Sequence, residues 1–331
     1  MVLVELRRWF RHAAAVFAVA AVFATSVAAR AADYPTRPIK IVVPYTPGGG
    51  VDIMIRAIGE KLTASLGQPV IQENRPGAGA SLGAEVVAKS PPDGYTLLAC
   101  TNGAMTINTE LYKDLHYDPL KDFEPITLTA VHTVVLVVNN ELPVKSVAEL
   151  VALAKTKPGA MFGGSSGNGS TMHLAHAFLN KTAGINIVHV PYRGSVPAMT
   201  AVGAGELQMS FMDIGPAIPV VKAGKARMLA IIGDKRSAVA PDVPTMQEAG
   251  FPGFDFVTWS GLFAPAGTPK EIIAKLNQEI RRILEEPDIK ERILLLGGEA
   301  VSSTPEELGA RIRREMPMWV SLVRDAGAKA E

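Results

Sequence analysis

The sequence predicts an α/β protein of two lobes that close about a hinge, and three observations lead there. Beyond an apolar leader, short β-branched runs alternate with segments of helical spacing, which predicts an α/β fold with a largely parallel sheet. The alternation comes in two blocks, followed by a helix-rich last third. In both blocks the loops richest in glycine and hydroxyl residues follow a strand and open a helix.

In the first block a β-branched run at 39–43 ends at Pro44 and the glycines Gly48 to Gly50. Helical spacing of Ile53, Ala57, Ile58 and Leu62 follows over 51–66 and stops at Gly67. A strand at 70–71, a helix at 81–89 and a strand at 95–99 complete the block. The second block reads as strand 134–138, helix 147–155, strand 160–163 and a helix from Thr171. A strand at 187–190, a helix near 196–202 and strands at 207–211 and 228–232 follow. The last third holds a strand at 257–263 and helices at 270–284, 288–296 and 305–323, expected to fold back on the first block. The division that follows is 32–131 with 254–331 as one lobe and 132–253 as the other, with crossings between them as in proteins that close by a hinge.

The leader itself sets the compartment. Arg7, Arg8 and Arg11 precede an apolar run at 13–27, and Ala29-Arg30-Ala31 gives the small-x-small pattern of a cleavage site. The run falls short of the ~20 residues a membrane span needs. Residues 1–31 therefore read as a secretory signal peptide, with the mature chain starting near Ala32 in the periplasm. The one cysteine, Cys100, lies far from that site, which argues against a lipid anchor. It closes an apolar run and reads as a buried strand residue rather than a catalytic thiol; alone it can form no internal disulfide.

Removing the leader takes away four arginines and Glu5, leaving 29 basic and 31 acidic residues, a formal charge of −2. That balance lacks the basic excess of a nucleic-acid binder. An anion would have to be attracted locally. Pro44-Tyr45-Thr46-Pro47-Gly48-Gly49-Gly50 is suited to this, because backbone N–H groups at a helix N-terminus favour negative charge and glycines allow close approach. A positive φ at Gly49 would add a backbone reason for glycine there. No Gly-Lys-Ser/Thr and no G-x-G-x-x-G accompanies this loop, so a nucleotide site is not indicated.

The loop from Gly163 to Thr171 is a second strand-to-helix turn, carrying Ser165, Ser166, Gly169, Ser170 and Thr171. Its Gly163-x-Ser165-x-Gly167 matches the nucleophile elbow of α/β-hydrolases in form. That fold needs an acid and then a histidine after the serine, and no acid separates Ser165 from His189, the last histidine, so the match reads as accidental. His173 and His176 stand i, i+3, but no third ligand with metal spacing accompanies them, so no metal and no cofactor are expected. His173 supports the loop or faces the cleft; His176 and His189 read as packing or surface residues. Tyr192 and Gly194 open another helix, Asp213 ends the next strand, and Thr101-Asn102 ends one in the first block. Ligands of α/β proteins bind outside the carboxyl ends of strands, where all these loops lie.

These residues together resemble the tripartite tricarboxylate transporter substrate-binding family, also called the Bug family of periplasmic binding proteins. The resemblance spans nearly the whole mature chain. It runs through Asp33-Tyr34-Pro35, the loop at 43–50, Glu73-Asn74-Arg75-Pro76-Gly77-Ala78-Gly79, and Pro92-Asp93-Gly94-Tyr95. It continues with Tyr117-Asp118-Pro119, the stretch 167–174, His189-Val190-Pro191-Tyr192, Pro241-Asp242-Val243-Pro244-Thr245 and Ala264-Pro265-Ala266-Gly267-Thr268-Pro269. It implies a two-lobed periplasmic-binding-protein fold with hinge closure, a monomer, and capture of a small carboxylate without chemistry. The implied partner is a membrane permease pair; a membrane sensor would need the same closure, and an enzyme on the same fold is the remoter alternative. Carried over, the Pro47-Gly48-Gly49 loop would hold a ligand carboxylate, and Ser165, Ser166, Gly169, Ser170 and Thr171 would form the opposing jaw with Tyr192, Gly194 and Asp213. The chain departs from the family pattern at Tyr45, Thr46, Met105, Met172 and in the residue after Asp213, departures that bear on the ligand's far end rather than on its carboxylate.

Overall fold

The computed structural model describes residues 34–192, 194–254 and 256–329; the expected leader and its cleavage site lie outside the described residues. Two mixed sheets form from eleven described strands. The first sheet is built from β1 (Ile39–Val43), β2 (Val70–Asn74), β3 (Thr96–Thr101), β4 (Phe123–His132), β10 (Thr258–Pro265) and β11 (Gly298–Ala300), in the order β11-β4-β10-β3-β1-β2. The second holds β5 (Val134–Asn139), β6 (Phe162–Ser165), β7 (Val188–Pro191), β8 (Met209–Asp213) and β9 (Ala226–Ile232), in the order β7-β6-β8-β5-β9.

The described α-helices are α1 (Gly50–Leu66), α2 (Ser81–Ala88), α3 (Asn108–Leu111), α4 (Val147–Thr156), α5 (Thr171–Ala183), α6 (Ser195–Ala204), α7 (Ile214–Lys222), α8 (Lys270–Leu284), α9 (Pro287–Leu295) and α10 (Pro305–Ala326), beside a 3-10 turn at Ala78–Ala80 and a π-helical turn at Gly103–Ile107. Local sequence explains their limits. Helix α1 starts after Gly49 and stops at Gly67, which takes the left-handed conformation a C-terminal glycine supplies. Its Met54, Ile55, Ile58 and Leu62 are buried against Ile39, Ile41 and Leu97. Helix α5 is capped by Ser170, whose side chain accepts from the His173 N–H. A reciprocal Thr304–Glu307 capping box opens α10.

Neither sheet is largely parallel. Strands β1, β2 and β3 run parallel, as do β6, β7 and β8, but β10, β4 and β11 pair antiparallel, and β5 is antiparallel to both β8 and β9. The reason is connectivity: β4 and β10 belong to the segments that leave and re-enter the first sheet, and they run against the strands they join. Four of these elements, β4, β11, α3 and α7, lie outside the expected set. Strand β4 is central despite Pro125, which sits beside a register shift between Leu262 and Phe263, where a missing ladder donor is tolerated. Helix α7 forms despite Pro219 in its interior.

The crossings fix where the strand ends point. Only Thr133 separates β4 from β5. Thr101 at the carboxyl end of β3 lies opposite Ser260, and His132 at that of β4 opposite Thr258. In the second sheet Val134, the first residue of β5, lies opposite Asp213, the last of β8. The carboxyl ends of β1, β3, β6, β7 and β8 therefore all face the crossover. Helices α8 and α9 cover the first sheet through Ile273, Leu276, Ile280, Ile283 and Ile293. Helix α10 spans both sheets, with Leu308 and Ile312 in a core of the first and Trp319, Leu322 and Val323 in a core of the second.

Candidate functional site

The first jaw is the loop after β1. Pro47, Gly48 and Gly49 are exposed. Gly48 has a φ of 83° and Gly49 one of −73°, so the conformational need for glycine lies at Gly48 and not at Gly49. A Cβ at Gly49 would stand 3.5 Å from the Thr46 carbonyl oxygen, an ordinary contact. The loop's shape is held from below by Asp52, which is buried and accepts from the Gly48 N–H at 2.9 Å and from Asn74 Nδ2 at 2.7 Å. Gln72 and Arg56 also donate to it. Burial pushes the Asp52 carboxyl up, but these hydrogen bonds outweigh it and hold the group below its ordinary range.

Tyr45 is turned inward. Its hydroxyl lies 2.8 Å from Thr101 Oγ1 and accepts from the Thr101 N–H at 2.9 Å, and burial pushes its pKa up. Tyr45 and Thr101 thus tie the β1 loop to the end of β3. Asn102, next along, is fully buried, and neither atom of its carboxamide has a partner among the described residues. Leaving such a group unpaired costs about 1–3 kcal/mol. Arg75 follows β2, its side chain exposed, paired with Glu73 and lining a surface groove of about 670 Å³ with Leu82 and Lys89.

The second jaw is the loop after β6. Ser165 is fully buried; Ser166 contacts Met172 Sδ at 3.3 Å; Ser170 caps α5 and donates to the Gly167 carbonyl at 2.7 Å. Gly169 has a φ of 71°, and a Cβ there would meet Leu111 Cδ2 at 2.1 Å, so both its conformation and its surroundings require glycine. Thr171 is buried in the first turn of α5. His173 is also buried, and its Nδ1 accepts from the Gly169 N–H at 3.1 Å; it supports the loop. Ser165 Oγ lies 2.7 Å from His189 Nε2, so the structure joins the serine and histidine that the hydrolase pattern left unrelated, in a pair whose serine is fully buried.

Tyr192 follows β7 and donates its N–H to the Ser165 carbonyl at 3.0 Å; Gly194, with a φ of 116°, opens α6 without a side-chain cap. Asp213 opens α7 and accepts from Ser195 Oγ at 2.8 Å. His132 faces it from the end of β4, with Nε2 3.0 Å from Ser260 Oγ, which lies 2.9 Å from Thr129 Oγ1. Burial pushes Asp213 up and His132 down, and each charge partly offsets the other's shift. Sequence reasoning missed His132, Ser195 and Ser260 because their strand or their partner lies far along the chain; the unbroken apolar and threonine run 126–131 was the available signal. Among the described residues no group of three or more His, Cys, Asp or Glu side chains is arranged to hold a metal ion. Nor is any described helix long and apolar enough to cross a membrane.

The same arrangement of lobes and loops recurs in known proteins. The family model described as the tripartite tricarboxylate transporter family receptor matches residues 54–327. Rpa4515 of R. palustris, solved with adipate, is 33% identical, with a TM-score of 0.82 over 89% of this chain and 99% of that one. MatC of Rhodopseudomonas palustris, solved with bound malate, is 34% identical, with a TM-score of 0.78 over 88% of this chain and 100% of that one. The periplasmic binding protein BugD is 32% identical, with a TM-score of 0.79 over 90% of this chain and 100% of that one. The fold is the two-lobed one of periplasmic binding proteins. By the extent of these matches, the chain belongs to the tripartite tricarboxylate transporter receptor family.

Proposed function

We infer that this protein is a periplasmic solute-binding protein that closes two lobes on a small carboxylate and hands it to a membrane permease pair, performing no chemistry on it. One observation carries the reading. The N-termini of α1, α5, α6 and α7, drawn from both sheets, open at strand ends that face the crossover, and the loops before α1, α5 and α7 carry no lysine or arginine; Arg193 precedes α6 in the sequence and lies outside the described residues. A helix N-terminus favours an anion by about 0.3–1 kcal/mol when exposed and up to about 2 kcal/mol when partly buried. Hydrogen bonds to a charged group add about 1.5–3 kcal/mol each. Several such ends acting together hold a carboxylate chiefly through backbone donors. Adipate and malate in similar proteins support that ligand class.

Closure follows from the same architecture. We take 32–131 with 254–331 as one lobe and 132–253 as the other, with Thr133 and the segment 233–257 as crossings, and the leader 1–31 as the export signal. The test is a thermal-shift screen with mono-, di- and tricarboxylates, amino acids and aromatic acids, followed by X-ray scattering. A carboxylate at a hundred times its Kd should stabilise the protein by about 2.7 kcal/mol and reduce the radius of gyration. Stabilisation only by cationic or uncharged solutes would contradict the reading.

A further inference from the structure

Behind the second jaw, three imidazoles from α5 and β7 form one cluster. His173 and His189 are stacked, with ring centroids 3.9 Å apart and planes 8° from parallel. His176 meets His189 edge-on at 5.6 Å and 87°. Each ring holds one point of the surrounding backbone or loop: His173 Nδ1 accepts from Gly169 N–H at 3.1 Å, His189 Nε2 lies 2.7 Å from Ser165 Oγ, and His176 Nε2 lies 2.9 Å from the Ile187 carbonyl. The space is reserved for these rings, since a Cβ at Gly163 would lie 2.6 Å from His176 Cε1.

Two of these bonds fix protonation. A backbone N–H donating to His173 Nδ1 leaves that ring's proton on Nε2, and a carbonyl at His176 Nε2 requires a proton there. His176 Nδ1 is buried and has no partner among the described residues, as a neutral ring allows. The loop is gripped on its other side by Leu111, which a Cβ on Gly169 would strike.

We propose that His173 and His189 are positioning residues: as a neutral stacked pair they set the two ends of the 166–170 loop, through Ser165 Oγ and Gly169 N–H, and so aim the first-turn donors of α5 at the ligand without touching it. The proposal rests on the anion-capture reading of this jaw. Burial, then the neighbouring imidazoles, lowers His189 to about 3; burial opposed by the Ile187 carbonyl lowers His176 to about 4; burial lowers His173 as well. The groups that could charge this cluster from neighbouring elements are few. Strand β6 brings Ser165 and no titratable side chain, β8 brings Asp213 at its end, and α10 carries Asp325 and Arg324, already paired with Lys181 and Glu110.

The test compares His173→Ala with His173→Asn, whose amide oxygen can stand where Nδ1 accepts, and His189→Ala with His189→Gln, at pH 7.5. Calorimetry with malate and with adipate, amide exchange at Gly169, and imidazole nitrogen spectra are the readouts. The alanine variants should lose more than tenfold in affinity, and His173→Ala should speed Gly169 exchange. The conservative variants should recover affinity to within about threefold of wild type, and the spectra should show His173 protonated on Nε2 alone. Lower melting temperatures with unchanged affinity, or Asn and Gln failing as badly as Ala, would overturn the proposal. If wild type binds neither acid, the carboxylate found by the screen replaces them; if it binds no anion at all, the anion reading fails, while Gly169 exchange and the His173 tautomer still decide whether the ring holds the loop. If an alanine variant does not fold, the wild-type tautomer and the conservative variants decide.

Discussion

Asp213 meets His132 where the two sheets join, and its place there constrains what it can do for a ligand. It cannot attract a carboxylate by charge; with Ser195 on one oxygen, its part in the proposed site would be to accept from a hydroxyl or an ammonium of the ligand. Asp213→Ala should weaken binding by about 1–3 kcal/mol and leave the unliganded melting temperature nearly unmoved, whereas unchanged affinity in calorimetry would place Asp213 outside the site. Which residues could be read from sequence follows from distance along the chain. Gly48, Ser170 and Gly194 were legible because strand, turn and helix start are contiguous there. His132 with Asp213, and Ser165 with His189, join residues far apart in sequence, and nothing local marks them. Tyr45 and His173 were legible as loop residues, but not as side chains turned inward to Thr101 and Gly169.

At the level of elements, the strand–helix alternation gave the two blocks, and the antiparallel pairing escaped because it depends on which strands cross between sheets. Strand β4 was obscured by Pro125, tolerated beside a register shift that only the pairing reveals, and helix α7 by the Pro219 in its interior. The joint itself turns on a backbone approach. A Cβ at Gly297, whose φ is 83°, would lie 2.5 Å from the Gly215 nitrogen, across from the first turn of α7. Gly297→Ala should therefore cost at least about 2 kcal/mol, a left-handed residue alone costing about 1–3 kcal/mol, and lower the melting temperature by several degrees. Gly224→Ala, with a φ of 70° and open space at its Cβ, carries only the conformational part. Equal losses in the two variants would mean that the Gly297–Gly215 approach is not a constraint.

For the molecule as a whole, acid should act through its neutral histidines. A histidine whose folded pKa lies below its unfolded value of about 6.5 takes up its proton first in the unfolded chain. Stability is then intact above pH 6.5, roughly, and falls as pH drops toward the values of about 4 and about 3 for His176 and His189. Melting temperatures should decline through that window, and a flat profile would contradict the buried cluster. Binding, on the function proposed above, would rest on two jaws brought together by the crossovers, with the anion recognised chiefly by backbone donors. Gly49→Val probes that claim most directly, because Gly49 has a negative φ and no close neighbour at its Cβ position, so the valine blocks ligand approach without straining the loop. Calorimetry with the carboxylate found by screening should show more than a tenfold loss, about 1.4 kcal/mol, with the unliganded melting temperature little changed, while Arg75→Ala binds nearly as wild type. Wild-type affinity in Gly49→Val together with abolished binding in Arg75→Ala would show that a side-chain salt bridge holds the anion instead.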